Sequence, residues 1–293
     1  MIGNAPGTII KTYPQRGPIK QFRFEKIVAF NCFRCGKAKK AKLITIYKDN
    51  WNKRMCNGCY GRLLSIYDIK AGTKNENEKV QELTNILFKL VSENDIKNAT
   101  QNLKIKENRH VYLDEQSTRF LASAEHISEK LGNEYSLDWS PVIIGLCKAL
   151  ENELVHKVIR PFKQFCSNID LENDKRDKDI GRIAKYIVSA DSKDPEIGTF
   201  AHFLQTSLNS KTRRETSNLI KSFYMFLSEF PNSNWILDSS GLLKDLQLIT
   251  KEFRNKAAHI EELTRDDFDK CKDYLVGNSG SLWKLNKAIN NSA

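Results

Sequence analysis

The sequence predicts a mainly α-helical protein with a small β-rich, four-cysteine module at its N-terminus. Four of the seven cysteines form two CxxC pairs, at residues 32–35 and 56–59, among short runs of β-branched and aromatic residues. From about residue 59 onward, apolar residues recur at helical spacing and strand signals are sparse. With 293 residues, 40% of them hydrophobic, the chain is long enough for a substantial core and one to three domains.

The positive charge is concentrated at one end of the chain. The formal net charge is +11. Residues 1–70 hold 15 lysines and arginines against 3 aspartates and glutamates, a net charge of +12, whereas residues 71–293 hold 32 against 33, a net charge of −1. A basic segment joined to a neutral body predicts a module that binds a polyanion, usually a nucleic acid. The alternative is a solvated basic surface without a partner.

The N-terminal module is predicted to be a zinc ribbon. Residues 24–30 and 43–47 are predicted strands, and Gly36 and Gly58 stand where tight turns at the cysteine pairs need a positive φ. Two CxxC pairs with twenty residues between them aim four thiolates at one point. The predicted zinc ligands are Cys32, Cys35, Cys56 and Cys59. Because every ligand is a cysteine, the zinc is expected to be structural; redox dithiols are the alternative.

Cationic and aromatic side chains are interleaved around the two cysteine pairs. The cations are Arg34, Lys37, Lys39, Lys40, Lys42, Lys53 and Arg54. The aromatic residues are Phe33, Tyr47, Trp51 and Tyr60. Cations contact phosphates and aromatic rings stack on bases, so the module is predicted to bind RNA or another single strand. Some of the aromatic rings are expected in the core of the ribbon and others on its surface.

The rest of the chain is predicted to be helical. Helices or apolar segments are expected at residues 60–69, 79–91, 116–131, 141–166, 180–190, 198–208, 213–230, 241–259, 264–276 and 280–289. Ser140 is the predicted N-cap of the fourth segment, Pro161 a kink or boundary in it, and Thr264 the start of a capping box. Residues 92–112 have no clear pattern. The predicted domains are residues 1–70, a helical connecting region at 71–135, and residues 136–293.

A short motif near the C-terminus carries the candidate chemistry. Residues 254–259, RNKAAH, have the form R-N-x3-H within a predicted helix. Further marks are residues 148–154 and 160–162, Gly198, Phe200, Leu204, and the helix at 262–277. In these features residues 139–289 resemble the HEPN family, whose helical domains carry an R-x4–6-H motif. The resemblance implies a HEPN-like helical bundle at the C-terminus.

Many HEPN domains are metal-independent endoribonucleases, and the resemblance implies the same activity here. His259 would transfer protons, Arg254 would bind the phosphate and Asn255 would position it through a hydrogen bond. Histidine suits cleavage by the 2′-hydroxyl because its ordinary pKa is about 6.5, and arginine binds phosphate bidentately. The products would be a 2′,3′-cyclic phosphate and a 5′-hydroxyl. Secondary candidates are Glu151, Glu153 and His156, for which an exposed helix face is at least as good an explanation.

The motif also bears on the oligomeric state. On an ideal helix residues 254 and 259 lie about 140° apart, so one helix does not aim both side chains at one point. In HEPN proteins the site is usually built across a dimer, so the resemblance implies a homodimer that cleaves RNA. A toxin or an anti-phage effector is the implied setting, with an antitoxin or sensor protein left open as a partner.

Two other classes of function stay open. One is a HEPN module that binds RNA or protein without catalysis, and the other is a zinc-ribbon regulator that binds duplex DNA. The sequence has no apolar run of membrane-spanning length and no apolar segment near its start, so a cytoplasmic protein without a membrane partner is expected.

Overall fold

A computed structural model describes residues 4–106, 108–131, 138–259 and 261–289. A small antiparallel sheet at the N-terminus is followed by helices up to residue 289. The mainly α-helical class with a β-rich N-terminal module is therefore confirmed. None of the helices in the described ranges is long and apolar enough to cross a bilayer.

The sheet has four strands in sequential order, each antiparallel to the next. They are β1 (Ile9–Thr12), β2 (Ile19–Asn31), β3 (Ala38–Tyr47) and β4 (Asn50–Met55). The two predicted strands lie within β2 and β3, whereas β1 and β4 were not predicted. The sequence of β4, NWNKRM, has no apolar alternation. A two-residue turn brings it back beside β3, and Lys48 and Asp49 in that turn have φ values of 49° and 51°.

Fourteen α-helices follow the sheet within the described ranges. They are α1 (Asn57–Ala71), α2 (Glu76–Lys89), α3 (Glu93–Lys106), α4 (Glu115–Leu131), α5 (Ser140–Leu154), α6 (Arg160–Phe165), α7 (Gly181–Val188), α8 (Ile197–Asn209), α9 (Lys211–Thr216), α10 (Asn218–Ser228), α11 (Leu242–Leu248), α12 (Lys256–Ala258), α13 (Arg265–Val276) and α14 (Ser281–Ile289). The predicted helix at 213–230 is divided, because the Ser217 side chain caps α10. The capping box at Thr264 is confirmed at the start of α13.

Two hydrophobic clusters organise the described residues. The smaller cluster lies under the sheet and includes Leu63 of α1. The larger one runs from Ile66, also in α1, to Ile289 in α14, and includes the apolar face of α2. Helix α5 is buried along most of its length and passes close to α2: a Cβ on Gly145 would lie 2.5 Å from Leu87 Cδ2. The helices of the connecting region therefore share a core with those that follow.

Helix α5 differs at both ends from its predicted form. Ser140 is not its N-cap, because the helix begins at Ser140 and Trp139 precedes it without a capping side chain. At the other end, a π-helical turn at Val155–Ile159 joins α5 to α6, and the Arg160 N–H donates to the Val155 carbonyl. Pro161 follows in the first turn of α6. Proline lacks the N–H that the interior of an α-helix needs. The irregularity predicted at Pro161 is therefore a widened, π-helical turn that precedes the proline.

A buried lysine joins the sheet module to the helical body. Lys70, in the last turn of α1, has 2% of its surface exposed. Its ammonium group donates to Asp138 Oδ2 and to Ser140 Oγ, both at 2.9 Å, and to the carbonyl of Glu261. Burial lowers the pKa of Lys70, although the Asp138 carboxylate opposes this shift. Three remote segments of the chain therefore meet at one desolvated charge.

We expect Lys70→Met to be strongly destabilising. The substitution leaves the Asp138 carboxylate buried without a cation, which costs about 3–5 kcal/mol in the free energy of unfolding. Urea unfolding followed by circular dichroism measures this loss. The matched control is Lys74→Met, because Lys74 pairs with Glu82 at the surface with 53% of its side chain exposed. The control should lose far less stability, since water screens a surface pair, and equal losses would contradict the structural role of Lys70.

Candidate metal centre and R-N-x3-H site

The four cysteine thiols of the N-terminal module converge on one point. Their sulfur atoms all lie within 4.8 Å of one another, and the sulfurs of Cys35 and Cys56 are 3.9 Å apart. A tetrahedral zinc site with Zn–S bonds of about 2.3 Å has S–S edges of roughly 3.8 Å. The cluster therefore has the size and the soft donors to hold a metal ion. It is the one such group in the described part of the chain.

The two CxxC turns are built differently. After the first pair, Gly36 has a φ of 68°, and its N–H donates to the Cys32 carbonyl at 2.8 Å. This confirms the predicted need for glycine at 36. The prediction for Gly58 is wrong, because Gly58 lies in the first turn of α1, where the backbone is helical. The second pair spans the start of that helix, so a helical turn supplies the curvature.

The local environment shifts the pKa values of the cysteine thiols in opposite directions, lowering that of Cys56 and raising those of Cys35 and Cys59. Burial opposes ionisation of the Cys56 thiol, but the Cys59 N–H and the other cysteines outweigh it and lower the pKa of Cys56 to about 7. The Cys56 N–H donates to the Cys32 sulfur at 3.3 Å. Burial and the neighbouring sulfurs instead raise the pKa of Cys59, as expected for thiols crowded together. Binding of a cation would relieve that crowding.

Basic side chains line a cavity beside this cluster. The cavity has a volume of about 420 Å³, and its walls include Lys37, Lys39, Lys40 and Arg62 together with Cys35 and Cys56. The four cations are exposed. Arg34 differs from the other predicted cations because it is buried and donates to the Cys59 carbonyl at 3.1 Å. It supports the metal site and does not face solvent.

The aromatic side chains of the module belong to its core. Tyr47 is buried, and Phe33, Trp51 and Tyr60 are partly buried against the cluster under the sheet. The Trp51 ring packs 4.7 Å from the Phe22 ring, measured between centroids. The expected core position is confirmed for Tyr47, whereas none of the other three rings is fully exposed. A sheet this small has few other apolar residues to cover, so its aromatic rings are drawn inward.

The R-N-x3-H motif lies where a helix loses its regularity. Helix α11 continues into a π-helical turn, Ile249–Asn255, and then into the single turn of α12. The chain leaves the helix at His259, which has φ −85° and ψ 167°. The separation expected from an ideal helix therefore does not apply, because the turn is wide and His259 is extended.

Arg254 is a buried cation held by amide groups. Only 5% of its surface is exposed. Its guanidinium donates to Asn77 Oδ1 at 2.6 Å and makes a long contact of 3.5 Å with Asn255 Oδ1. Its Nε atom is buried and has no hydrogen-bond partner among the described residues. Within the same ranges, no carboxylate oxygen lies within 4.0 Å of this guanidinium.

His259 is accessible to solvent and lies beside a carboxylate. Its side chain is 61% exposed, and its Nε2 atom is 3.4 Å from Glu76 Oε1. Glu76 and the Asn77 that holds Arg254 are neighbours in the first turn of α2. The structure therefore brings Arg254, Asn255 and His259 to the N-terminal end of α2. There the Arg254 side chain is buried and the His259 side chain is exposed to solvent.

Sequence reasoning missed the contribution of α2. The helix predicted at 79–91 begins earlier in the structure: α2 starts at Glu76 and is capped by Asn75 and Glu78 in a complete capping box. The run N-E-N-E at 75–78 carries the signal for that box, an asparagine followed three residues later by glutamate. That signal locates the helix start, although it does not indicate that the motif packs against it.

The secondary candidates on α5 have different surroundings. Glu151 pairs with Lys148 at 2.9 Å. Glu153 is fully buried, accepts from the Asp114 N–H at 2.6 Å and pairs with Lys157 at 3.0 Å, so an exposed helix face is the wrong explanation for it. Both glutamates act within the fold. His156 instead faces a separate cleft between α3, α4 and α5.

The N-terminal module contacts the segment just after the motif. The Tyr47 hydroxyl of β3 donates to Glu262, and Lys48 pairs with the same carboxylate at 3.3 Å. Burial raises the pKa of Glu262, and the positive charge of Arg34 opposes that shift. Because Glu262 is three residues beyond His259, the position of the module is linked directly to the end of the motif.

Comparison with known proteins does not place the chain in a family. No family model matches it, and neither the curated proteins nor the solved structures yield a match. Its function is therefore inferred from the fold and from the geometry of the two sites.

We expect one metal ion per chain, bound by the four cysteines. Cys56→Ser should lose most of the metal and leave the N-terminal module open to proteolysis, because four thiolates close the site and hold the turns together. Metal analysis and limited proteolysis measure the two effects. Cys147→Ala is the control, since Cys147 is buried within α5 and should keep the metal content unchanged. Retention of a full metal equivalent by Cys56→Ser would contradict the assignment.

Proposed function

We propose that this protein is a HEPN-type endoribonuclease that cleaves RNA by attack of the 2′-hydroxyl on the adjacent phosphate, without a catalytic metal. The observation that carries the proposal is the buried Arg254 guanidinium, which has amide partners but no carboxylate partner in the described residues. The exposed imidazole of His259 lies on the same helix start.

The buried guanidinium of Arg254, which has no carboxylate partner among the described residues, is suited to binding an anionic ligand. Desolvating a charge is costly unless an opposite charge or several hydrogen bonds compensate for it. Asn77 and Asn255 use only two N–H groups of Arg254, and the guanidinium has others left to donate. A phosphodiester would supply the missing negative charge at this position. Asn77 and Asn255 would then fix the plane of the guanidinium.

The chemistry needs one proton to be removed and another to be delivered. A base takes the proton from the 2′-hydroxyl as its oxygen bonds to phosphorus, and an acid protonates the 5′-oxygen as the P–O5′ bond breaks. His259 can serve in either step, with Glu76 orienting its ring as a carboxylate does in other proton-transfer sites. One chain offers a single His259, so a homodimer that places two copies at one cleft would supply both groups.

The N-terminal module would hold the substrate, with zinc as the structural metal that closes its cysteine cluster. Its exposed lysines at 37, 39 and 40 and Arg62 form a cationic patch next to the metal ligands, as suits contact with a phosphate backbone. Tyr47 is buried and the rings of Phe33, Trp51 and Tyr60 are partly buried, which favours contact with phosphates over stacking on bases. Because the module also contacts Glu262, RNA bound there would lie in the same region of the molecule as the motif.

The setting proposed for this activity is that of a toxin or anti-phage effector in the cytoplasm. An antitoxin or sensor protein would then control cleavage. The motif's resemblance to HEPN nucleases supports this setting.

A non-catalytic module that binds RNA or protein is the second candidate. It is favoured by the burial of Arg254 and its bond to Asn77, which a purely structural arginine would also have. A regulator that binds duplex DNA through the basic cavity is a third. Tight binding of RNA without products separates the second candidate from the first, and preference for duplex DNA over RNA separates the third.

We expect purified protein to cleave single-stranded RNA in buffer without added divalent metal, giving 2′,3′-cyclic phosphate and 5′-hydroxyl ends. A 2′-deoxy substitution at the cleaved position should block the reaction, because it removes the attacking oxygen. His259→Ala should reduce the rate about 10²–10⁴-fold, the usual contribution of a proton-transfer group. End-labelled RNA resolved on gels measures both effects.

His202→Ala is the matched control for that experiment. The His202 side chain is 54% exposed, and its Nε2 atom lies 3.4 Å from a carboxylate oxygen of Asp179. Its environment therefore resembles that of His259, but it lies outside the motif. The control should cleave at the wild-type rate. Full activity in a folded His259→Ala variant would rule out the assignment.

We expect the double substitution Lys39→Gln with Lys40→Gln to weaken RNA binding. Two lost phosphate contacts should make the slope of log affinity against log salt shallower by about 1.4 for a single strand. Titrations with 2′-O-methyl RNA, which lacks the attacking hydroxyl, measure the slope. Lys244→Gln with Lys270→Gln removes the same charge from exposed positions on the helical body and should leave the slope unchanged.

A further inference from the structure

Glu261 and Glu262, just beyond the R-N-x3-H motif, are held by side chains from the N-terminal part of the chain. The Lys70 ammonium group donates to the Glu261 carbonyl. The Tyr47 hydroxyl donates to the Glu262 carboxylate, and the Lys48 ammonium group lies 3.3 Å from the same carboxylate. The two glutamates therefore take their position from groups that are remote from the motif in sequence.

The first connection to the cysteine cluster runs along one face of α1. The buried residues of this helix are Cys59, Leu63, Ile66 and Lys70, spaced by four, three and four positions, so they form a single stripe. Leu63 packs in the core under the sheet and Ile66 in the core of the helical body. Eleven helical residues span about 16.5 Å. A rigid helix therefore joins a metal ligand to the ammonium group that binds the Glu261 carbonyl.

The second connection runs through two aromatic rings. Phe33 lies between Cys32 and Cys35, and the centroid of its ring is 5.7 Å from that of the Tyr47 ring. Tyr47 has 2% of its surface exposed, and its hydroxyl binds Glu262. The turn of the first cysteine pair is therefore packed against the tyrosine that holds the second of the two glutamates.

Both connections begin at the candidate metal site. Arg34 of the first cysteine pair donates to the Cys59 carbonyl of the second at 3.1 Å, and the four sulfurs lie within 4.8 Å of one another. A metal bound by all four sulfurs would join the two pairs at one point. Because a metal binds the assembled cluster and not the separated thiols, its binding free energy favours the closed arrangement of the two turns.

The backbone gives the motif little freedom from these contacts. The His259 N–H donates to the carbonyls of Asn255 and Lys256 at 3.2 and 3.1 Å, so the helix end holds one side of His259. On the other side Glu261 is two residues away, and two residues span at most about 7 Å. Displacement of Glu261 would therefore change where the imidazole lies relative to Glu76, whose carboxylate is 3.4 Å away.

We propose that metal binding at the four cysteines regulates the R-N-x3-H site, with Glu262 as a positioning residue for His259. With the metal bound, Tyr47 and Lys70 would hold residues 261–262 and keep the imidazole beside Glu76. Without the metal, the turns of the cysteine pairs would loosen and His259 would leave that position. The consequence for RNA cleavage rests on the proposed ribonuclease function, whereas the structural coupling does not.

NMR spectra of the full chain, with zinc bound and after its removal by a chelator, test the coupling without RNA. The chain has five histidines, so their ring signals can be assigned by substitution. The His259 signal should move when zinc is removed and return when zinc is added back. The His202 signal should stay in place, because His202 and its partner Asp179 belong to neither connection. Circular dichroism checks that the helical body remains folded.

Two substitutions interrupt the second connection. In Glu262→Gln and in Tyr47→Phe, zinc removal should move the His259 signal by less than about half of the wild-type displacement, as expected when a coupled partner is lost. Both variants should still bind one zinc per chain, because neither residue is a ligand. The matched control is Glu172→Gln, since Glu172 pairs with Lys175 at the surface and its side chain is 64% exposed. The control should show the full wild-type displacement.

The kinetic effect of Glu262→Gln should be that of misplacement. We expect kcat for RNA cleavage to fall about tenfold or more, because a small displacement of a reacting group is costly. KM should change by less than about twofold, since the lysines of the cationic patch are unaltered. Removal of zinc should lower kcat in the wild type and have little further effect in Glu262→Gln.

Three results would overturn this inference. They are an unchanged His259 signal after zinc removal, the full wild-type displacement in a folded Glu262→Gln variant, and an equal movement of the His202 signal. Absence of RNA cleavage would instead contradict the proposed function, and the His259 signal would still report the coupling. RNA cleavage with a His259 signal that does not respond to zinc would contradict the coupling alone.

Discussion

The junction between the sheet module and the helical body depends on a buried ion pair, between Lys70 at the end of the first helix and Asp138 before α5. The same ammonium group binds Ser140 and the Glu261 carbonyl, which follows the R-N-x3-H motif by two residues. A desolvated charge tolerates few geometries, because each lost contact leaves it uncompensated. The pair therefore fixes the sheet module, the start of α5 and the end of the motif relative to one another, and contacts from Tyr47 and Lys48 to Glu262 reinforce the junction.

Two histidine–arginine pairs among the described residues have a similar local construction. Each places an arginine within or just after a π-helical turn and a histidine nearby, with a carboxylate facing the imidazole. A π turn widens the helix and changes the direction of the side chains that follow it. The two pairs differ in burial: Arg254 is inside the protein and relies on amides, whereas Arg160 is partly exposed and paired with Asp194.

Much of the fold was accessible from the sequence because its signals are local. The helix at 116–131 and the capping box at Thr264 follow from residues a few positions apart, and the structure confirms both. Strand β4 was not predicted, because it is polar and is defined by pairing with β3. Helix α3 lies in a polar stretch without clear periodicity and forms where its apolar residues meet α4. In each missed element, tertiary contacts override a weak local preference.

By itself the sequence determined the four-cysteine cluster and the helical class, because a CxxC turn and an apolar stripe need only neighbouring residues. Only the tertiary structure decided which groups surround the polar candidates. Arg254 meets Asn77 across 177 positions of sequence, and His156 lies beside an aspartate from another helix start. A side chain's polar partners depend on how distant helices pack, and packing is set by the whole core. The spacing of R-N-x3-H therefore named Arg254 and His259 as candidates, and the fold buried the first and exposed the second.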